Sequence, residues 1–443
     1  MKSEIADFYA GKKVLITGAS GFIGKVVLEK LLRACPDISQ VYLFLRPKRN
    51  KSSEERLQKI LENSLFNIIR EKDPDQLKKV RLIEAELKKA SLELKPEDEE
   101  LLINNCQLVF HVAASVQFDK HLHDISETNI YGLKLMLDLA KQMEHLEAFI
   151  FCSTAFCQYK DIALEEKGYE PPVTFENLDK ILSNFSEDSL TPIEKKFLGL
   201  HENTYAFSKA IAESIVAEYS NYFPIAIGRP SIVCNITHDP LPGWVESLNG
   251  FNGFIVVAGF GILKVVPGNQ DLPRCVVPAD IVSNGLIIIG WQIAKSRSNK
   301  IQYFNLAEDI ESAKQNTYRV IDHRGYKAAG EYPFEIQVAP FGYHIIENNF
   351  IAWLAVLWYH LLYGMVLDAL LYIFRRKTMV LAELKTVLND VDAKTFPISP
   401  EEGLTMESWM SGYLGFRTYV LKQDPKTIPR SKKLAKILFW IRR

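Results

Sequence analysis

From about residue 14 to residue 230, short β-branched or aromatic apolar runs alternate with longer stretches whose apolar side chains recur at helical spacing. Val14-Leu-Ile16 predicts a first strand, and the pattern from about Phe22 to Arg33 predicts the helix after it. Val41-Tyr-Leu-Phe-Leu45 predicts a second strand, followed by a charged amphipathic helix. Val80-Arg-Leu-Ile83, Leu108-Val-Phe-His111 and Ala148-Phe-Ile-Phe-Cys152 predict strands three to five, with helices around 121–143 and 203–220 after the last two. Ile225-Ala-Ile-Gly228 predicts a sixth. Strands that are apolar on both faces and separated by helices call for an α/β fold, a Rossmann-like doubly wound parallel sheet covered on both sides.

Past residue 230 the pattern changes. Pro, Gly and Asn cluster in Leu241-Pro-Gly-Trp-Val-Glu-Ser-Leu-Asn-Gly250 and again around Pro267–Pro278, as loops on the substrate side of the sheet would. The expected division is a doubly wound domain over 1–310 that includes those loops, a polar connecting segment over 311–345, and a smaller, mainly helical domain over 346–443. The run from Phe350 to Phe374 is the most apolar in the chain and is long enough to span a bilayer at about 1.5 Å per residue. His360, Gly364 and Asp368 interrupt it. A carboxylate at the bilayer centre costs about 2.5–3.5 kcal/mol, so buried helices and a membrane-associated segment both remain open. The tail mixes Arg430, Lys432, Lys433, Lys436, Arg442 and Arg443 with Leu434, Ile437, Leu438, Phe439, Trp440 and Ile441, which suits a helix lying in a membrane interface or one packed on the domain.

Composition narrows the partners. At 443 residues the chain is long enough for two or three domains. A formal net charge of -1 argues against a nucleic-acid partner, which would demand a basic surface. The six cysteines form no C-x-x-C pair and no disulfide framework, which favours a reducing, intracellular compartment, with Cys106 and Cys152 as small buried apolar groups. Glu4 and Asp7 stand where a secretory leader would be apolar.

Two motifs carry the chemistry. Gly18-Ala-Ser20-Gly21-Phe22-Ile23-Gly24 closes the first strand and opens a helix. Small residues there let the backbone approach a pyrophosphate, which the helix N-terminus stabilises. Arg46 ends the second strand, with Lys48 and Arg49 close behind, where an acidic residue would bind a ribose 2′-hydroxyl. A cation there suits a 2′-phosphate, so NADPH is expected rather than NADH. Glu86, after strand three, is placed to contact the adenine amine, and Ala113, after strand four, leaves room for the cofactor's sugar and pyrophosphate. The second motif is Tyr205-Ala-Phe-Ser-Lys209. Positions i and i+4 share a helix face, so phenol and ammonium can point together at a nicotinamide ribose. The ammonium favours phenolate, making Tyr205 a usable general acid as hydride reaches a carbonyl. Thr154, with Ser153 as the second choice, can hydrogen-bond the carbonyl oxygen as charge develops on it. Asn129 can order its own helix or hold a proton-relay water.

These residues resemble the eukaryotic fatty acyl-CoA reductases, which are extended short-chain dehydrogenase/reductases with a male-sterility-type C-terminal domain. The resemblance rests on Lys13-Val-Leu-Ile-Thr-Gly-Ala-Ser-Gly-Phe-Ile-Gly-Lys25, Leu45-Arg-Pro-Lys48, Phe110-His-Val-Ala-Ala114 and Phe118-Asp119. It continues through Ser153-Thr-Ala155, Asn203-Thr-Tyr-Ala-Phe-Ser-Lys209, Gly228-Arg-Pro230, Pro242-Gly-Trp244, Val277-Pro-Ala-Asp280, Asp368 and Gly415-Phe-Arg-Thr-Tyr419, nearly the whole chain. It implies NADPH-dependent reduction of a long-chain acyl-CoA through a hemithioacetal and a bound aldehyde to a primary alcohol, with release of CoA. It also implies a C-terminal domain that houses or caps the acyl chain near a cytosol-facing membrane, of endoplasmic reticulum or peroxisome, and it is compatible with a homodimer. Two positions depart from the family pattern: Ala85-Glu86 replaces the usual Gly-Asp, and Phe156 replaces the usual Tyr after Ser-Thr-Ala. The rival readings are another extended reductase or epimerase acting on an aldehyde, sterol or nucleotide sugar, and a catalytically silent acyl-CoA- or NADPH-binding protein.

Overall fold

The computed structural model describes residues 3–362, apart from short interruptions at 49–50, 159–163, 247–249 and 274–275 and a few single positions, together with short pieces between 418 and 435. Its contacts divide the chain into two compact units. The first takes Met1–Ser231 and Ala279–Leu306; the second takes Ile232–Pro278 and Ala307–Arg443. Residues 232–278, expected among the first 310, therefore group with the later part of the chain.

The first unit is built on a seven-stranded parallel sheet. Its strands are β1 (Lys13–Thr17), β2 (Gln40–Leu45), β3 (Val80–Glu84), β4 (Leu108–His111), β5 (Ala148–Cys152) and β6 (Ile225–Pro230). The short strands β7 (Ile232–Cys234), β8 (Val265–Pro267) and β9 (Val276–Pro278) belong to the second unit, and β10 (Gln302–Leu306) returns to complete the first. The order across the sheet is β10-β6-β5-β4-β1-β2-β3. The chain reverses its direction of travel between β1 and β4, the crevice where doubly wound sheets bind ligands. All six expected strands form. The seventh, β10, went unpredicted because Gln-Tyr-Phe-Asn-Leu mixes polar and aromatic residues and is half-buried throughout at the sheet edge.

Burial explains why the central strands read as unbroken apolar runs. Every residue of β4, β5 and β6 is buried, because helices cover both faces. Full burial of a side chain such as Phe149 or Ile150 is worth about 1.5–3 kcal/mol. The helix Phe22–Ala34 packs on the long helix Ala279–Ser296, and Tyr9 donates its phenolic proton to the Ile287 carbonyl across 2.8 Å. The helix expected over 121–143 is divided: Leu122–Ser126, then a π-helical turn over Glu127–Tyr131, then Gly132–Ala140.

The second unit has two small parallel pairings, β7 with β9 and β8 with β11 (His344–Ile346). Its core joins Phe251, Ile255 and Val256 of the helix Phe251–Gly259 to Phe334 and Phe341. The segment read as a connector contains the helix Tyr318–Glu331. Of the apolar run 350–374, residues up to 362 are described, including the helix Asn349–Val356; the rest, with Asp368, lies outside the described residues, as does most of the tail. Among the described residues no helix is long and apolar enough to cross a membrane.

Candidate active site

The Gly-rich turn sits at the C-terminal end of β1, beside β4. Gly18 has φ +76°, and a Cβ there would lie 2.6 Å from the Ala113 amide nitrogen. A Cβ on Gly24 would lie 2.3 Å from the Gly18 carbonyl oxygen. The turn and the first turn of the helix are therefore in backbone-to-backbone contact, and only glycine fits at either place. Gly21 donates to the Gly18 carbonyl at 2.8 Å and is the N-cap of the helix, with Phe22 and Ile23 in its first turn. The buried Lys25 ammonium donates to the Ser20 carbonyl at 2.7 Å and holds the turn from behind. A helix N-terminus behind a turn that admits no side chain at Gly18 or Gly24 suits a dinucleotide pyrophosphate, and Gly18, Ser20, Gly21, Phe22, Ile23 and Gly24 are the residues expected to meet it.

Behind this turn, the Thr17 hydroxyl accepts from the Ala113 amide at 3.3 Å and lies 3.1 Å from His111 Nδ1. A neutral imidazole with Nδ1 unprotonated completes both bonds. Burial, reinforced by the Lys209 charge, pulls His111 down to about 3, so it is neutral near pH 7.

The residues expected around the adenosine come together at the ends of β2 and β3. Arg46 forms an ion pair with Glu86, so the residue expected to read the 2′ position and the one expected at the adenine touch each other. Glu86 Oε1 also accepts from the Lys88 amide at 3.2 Å. Arg56, in the helix Ser53–Leu61, donates to the Arg46 carbonyl at 2.5 Å. Burial and the neighbouring Arg46 charge pull Arg56 below its usual value. This second cation was not singled out from sequence, because one half-buried arginine among the charges of an amphipathic helix gives no signal. Lys48 is exposed, and its backbone pairs with that of Lys51 in an isolated antiparallel bridge.

The helix Thr204–Glu218 presents Tyr205 and Lys209 on one face, capped by the Asn203 side chain at the Ala206 amide (2.8 Å). Lys209 is buried; its ammonium donates to the Cys152 carbonyl at 2.7 Å and lies 4.4 Å from the centre of the Phe151 ring. An ammonium has three N–H donors, so this bond anchors Lys209 to the end of β5 and leaves donors for a ribose. Burial pulls the ammonium below its usual value, against the pull of Cys152, Cys157 and Glu213. Tyr205 is half-buried and meets the Phe118 ring edge-on at 5.6 Å. Ser153 and Thr154 follow β5 directly, and both are buried. Thr154 Oγ1 accepts from the Phe156 amide at 3.3 Å, capping the turn Ala155–Cys157, which leaves its own proton to donate.

Asn129, whose role the sequence left open, has its side chain spent on positioning. Oδ1 accepts from the Ser115 amide at 2.7 Å; Nδ2 donates to the Ser115 carbonyl and to Ser208 Oγ, each at 3.0 Å. It ties the loop after β4 to the helix of Tyr205 and Lys209, from within the π-helical turn that aims it there.

This sheet, glycine cradle and Tyr/Lys face define an oxidoreductase of the nicotinamide-dependent short-chain dehydrogenase/reductase class. A family model described as "Male sterility protein" matches residues 16–286, and the chain belongs to that family and to its fatty acyl-CoA reductases. It is 31% identical over 461 aligned residues to fatty acyl-CoA reductase 1 of Homo sapiens, covering 97% of this chain and 88% of the relative. It is 38% identical over 297 residues to fatty acyl-CoA reductase 2 of Bos taurus, covering 67% of this chain and 57% of that one. Among solved structures, the reductase domain of a nonribosomal peptide synthetase from Mycobacterium tuberculosis superposes with a TM-score of 0.59 at 13% identity, over 94% of this chain and 96% of that chain. The terminal reductase domain of the myxalamid pathway does so at 0.58 and 16%, over 93% and 92%. At such identities these two speak for the fold alone.

Proposed function

We propose that the protein reduces a long-chain acyl-CoA thioester to the primary alcohol, through an aldehyde that stays bound, with NADPH as its cofactor. The observation that carries this reading is the convergence of Tyr205, Lys209, Thr154 and the glycine cradle in one unit of a chain that belongs to the fatty acyl-CoA reductases. NADPH, when bound, supplies the hydride. The Thr154 hydroxyl, aided by Ser153, donates to the substrate carbonyl oxygen as negative charge collects there. Tyr205 gives that oxygen its proton in the aldehyde step. Lys209, fixed by Cys152, binds the nicotinamide ribose. Arg46 and Arg56 favour a 2′-phosphate electrostatically, while Glu86 opposes it.

Membrane association is part of the same reading. Phe350, Ile351, Trp353 and Trp358 are each more than half exposed, and Tyr359 continues the face. Trp and Tyr beside aliphatic residues suit the interfacial region of a bilayer. The membrane proposed is cytosol-facing, of endoplasmic reticulum or peroxisome.

The test is product analysis after incubating the purified chain with NADPH and palmitoyl-CoA. Hexadecanol, with two NADPH oxidised per thioester, is the expected result. NADPH binding without aldehyde or alcohol from any acyl-CoA overturns the reading. Flotation with liposomes, comparing wild type with Trp353→Ser/Trp358→Ser, checks the membrane part; equal partition of the two refutes it.

A further inference from the structure

A charged pair outside the residues assigned so far lies beneath the site. Glu213 is eight residues beyond Tyr205 and four beyond Lys209, on the same helix face, and is buried. Arg229, in β6, is fully buried opposite it. Their contact is bidentate: Arg229 Nε donates to Glu213 Oε1 at 2.9 Å and Nη2 to Oε2 at 2.7 Å. Burial pulls Arg229 down and the Glu213 carboxylate more than offsets it, so the guanidinium stays charged.

The remaining bonds of the pair run to the turn that Thr154 begins and to the segment 165–169. Glu213 Oε1 also accepts from the Cys157 thiol at 3.3 Å, and Oε2 from the Gln158 side chain at 3.3 Å. Cys157 and Gln158 end the turn that Thr154 begins, and the same thiol lies 3.1 Å from the Thr154 carbonyl. Arg229 Nη1 donates to the Glu165 carbonyl at 3.1 Å, and Nη2 to the Lys167 carbonyl at 2.9 Å. The guanidinium also lies 5.3 Å from the centre of the Tyr169 ring and 4.9 Å from that of Tyr303. One ion pair thus joins the Tyr205/Lys209 helix, the Thr154 turn, the segment 165–169 and the two outer strands β6 and β10.

A buried ion pair adds little net stability over well-packed apolar residues, because desolvation consumes its Coulomb gain. Its bonds do fix geometry: a planar bidentate fork permits one relative placement of its two elements. We infer that Glu213 and Arg229 are positioning residues for the reduction, setting the distance between the Thr154 hydroxyl and the Tyr205 phenol. This rests on the reading of the site as a carbonyl-reducing one.

The test compares wild type with Arg229→Lys, Cys157→Ala and the apolar double variant Glu213→Leu/Arg229→Met. Each is assayed with palmitoyl-CoA and with hexadecanal, and kcat is normalised to NADPH-binding sites counted by fluorescence titration. Arg229→Lys keeps the charge and loses the fork. The double variant removes both charges together, so it leaves no unpaired charge buried where a single change would. Cys157→Ala removes the thiol's contacts with Glu213, the Thr154 carbonyl and Ser153 Oγ and leaves the Gln158 link in place. The expected result is a fall in normalised kcat of about 10- to 100-fold for Arg229→Lys and the double variant, the scale of a misplaced reacting group, with a smaller fall for Cys157→Ala. KM for NADPH should stay near wild type, and the primary deuterium isotope effect from 4-deuterated NADPH should rise as the chemical step becomes limiting. Wild-type kcat and isotope effect per binding site in the folded variants would overturn the inference while leaving the functional reading intact. A wild-type enzyme that binds NADPH yet reduces neither substrate overturns that reading and the inference with it.

Discussion

Arg46 and Glu86 make opposite predictions about cofactor choice, and that opposition is testable. The two side chains form an ion pair, with Arg46 about half exposed. Only Nη1 of Arg46 donates to Glu86, so a 2′-phosphate competes with that carboxylate for the Arg46 charge. Exposed pairs of this kind are worth about 0.2–1 kcal/mol, so releasing Arg46 should strengthen NADPH binding by roughly 1.4- to 5-fold. Glu86→Gln does this, and the neutral amide also ceases to repel a phosphate. Any change at the adenine amine is common to NADPH and NADH and cancels in their ratio. Arg46→Ala removes a hydrogen bond to a charged group, worth about 1.5–3 kcal/mol before solvent screening, and at this half-exposed position should narrow the ratio by roughly 3- to 10-fold. The assay is the ratio of dissociation constants for NADPH and NADH, by nicotinamide fluorescence, in wild type, both single variants and the double. Glu86→Gln should raise the preference for NADPH, Arg46→Ala should lower it, and adding Glu86→Gln to Arg46→Ala should give a smaller gain than in wild type. A fall in preference with Glu86→Gln, or an undiminished gain in the Arg46→Ala background, would refute the competition.

Tyr205→Phe should lower kcat by about 10²- to 10⁴-fold with palmitoyl-CoA while NADPH titrates normally, since only the proton donor is lost; near-normal turnover would remove Tyr205 from the chemistry. Gly24→Ala should abolish cofactor binding or the folded state, because its methyl would sit 2.3 Å from the Gly18 carbonyl oxygen; fluorescence titration and circular dichroism tell these apart. His111 is held neutral to about pH 3, whereas an unfolded histidine takes its proton near the ordinary value of 6.5. Between those values the unfolded chain binds the extra proton, so stability is full above about pH 6.5 and falls as pH drops, by up to about 4–5 kcal/mol in total. Urea midpoints at about pH 5 and 7 should therefore converge in His111→Asn, and an unchanged difference would assign the acid sensitivity to other groups.

The elements legible in the sequence were those whose environment is uniform. β4, β5 and β6 are buried end to end, so their apolar runs had one interpretation. The glycine turn was legible because its backbone packing admits no side chain at Gly18 or Gly24. β10 was not, because an edge strand has mixed surroundings and its letters follow them. The π-helical turn at Glu127–Tyr131 does not change the spacing enough to break a helical pattern, so only coordinates reveal how Asn129 is aimed. Arg229 appeared in the sequence as part of Gly228-Arg-Pro230, but its partner Glu213 is joined to it only by the fold. Ionic partners on different elements have no spacing rule, which is also why the Arg46–Glu86 contact could not be foreseen.

The first unit is not continuous in the chain: it is interrupted at Ser231 and resumes at Ala279. During synthesis, the six strands that end with β6 emerge before their last neighbour exists. Until Leu306 has been made, β6 presents an open edge of unpaired amides and carbonyls, and the helix Phe22–Ala34 lacks the Ala279–Ser296 helix that covers it. Open apolar edges recruit other strands. A recombinant fragment stopping near residue 231 should therefore aggregate even though it carries the glycine cradle, Tyr205 and Lys209.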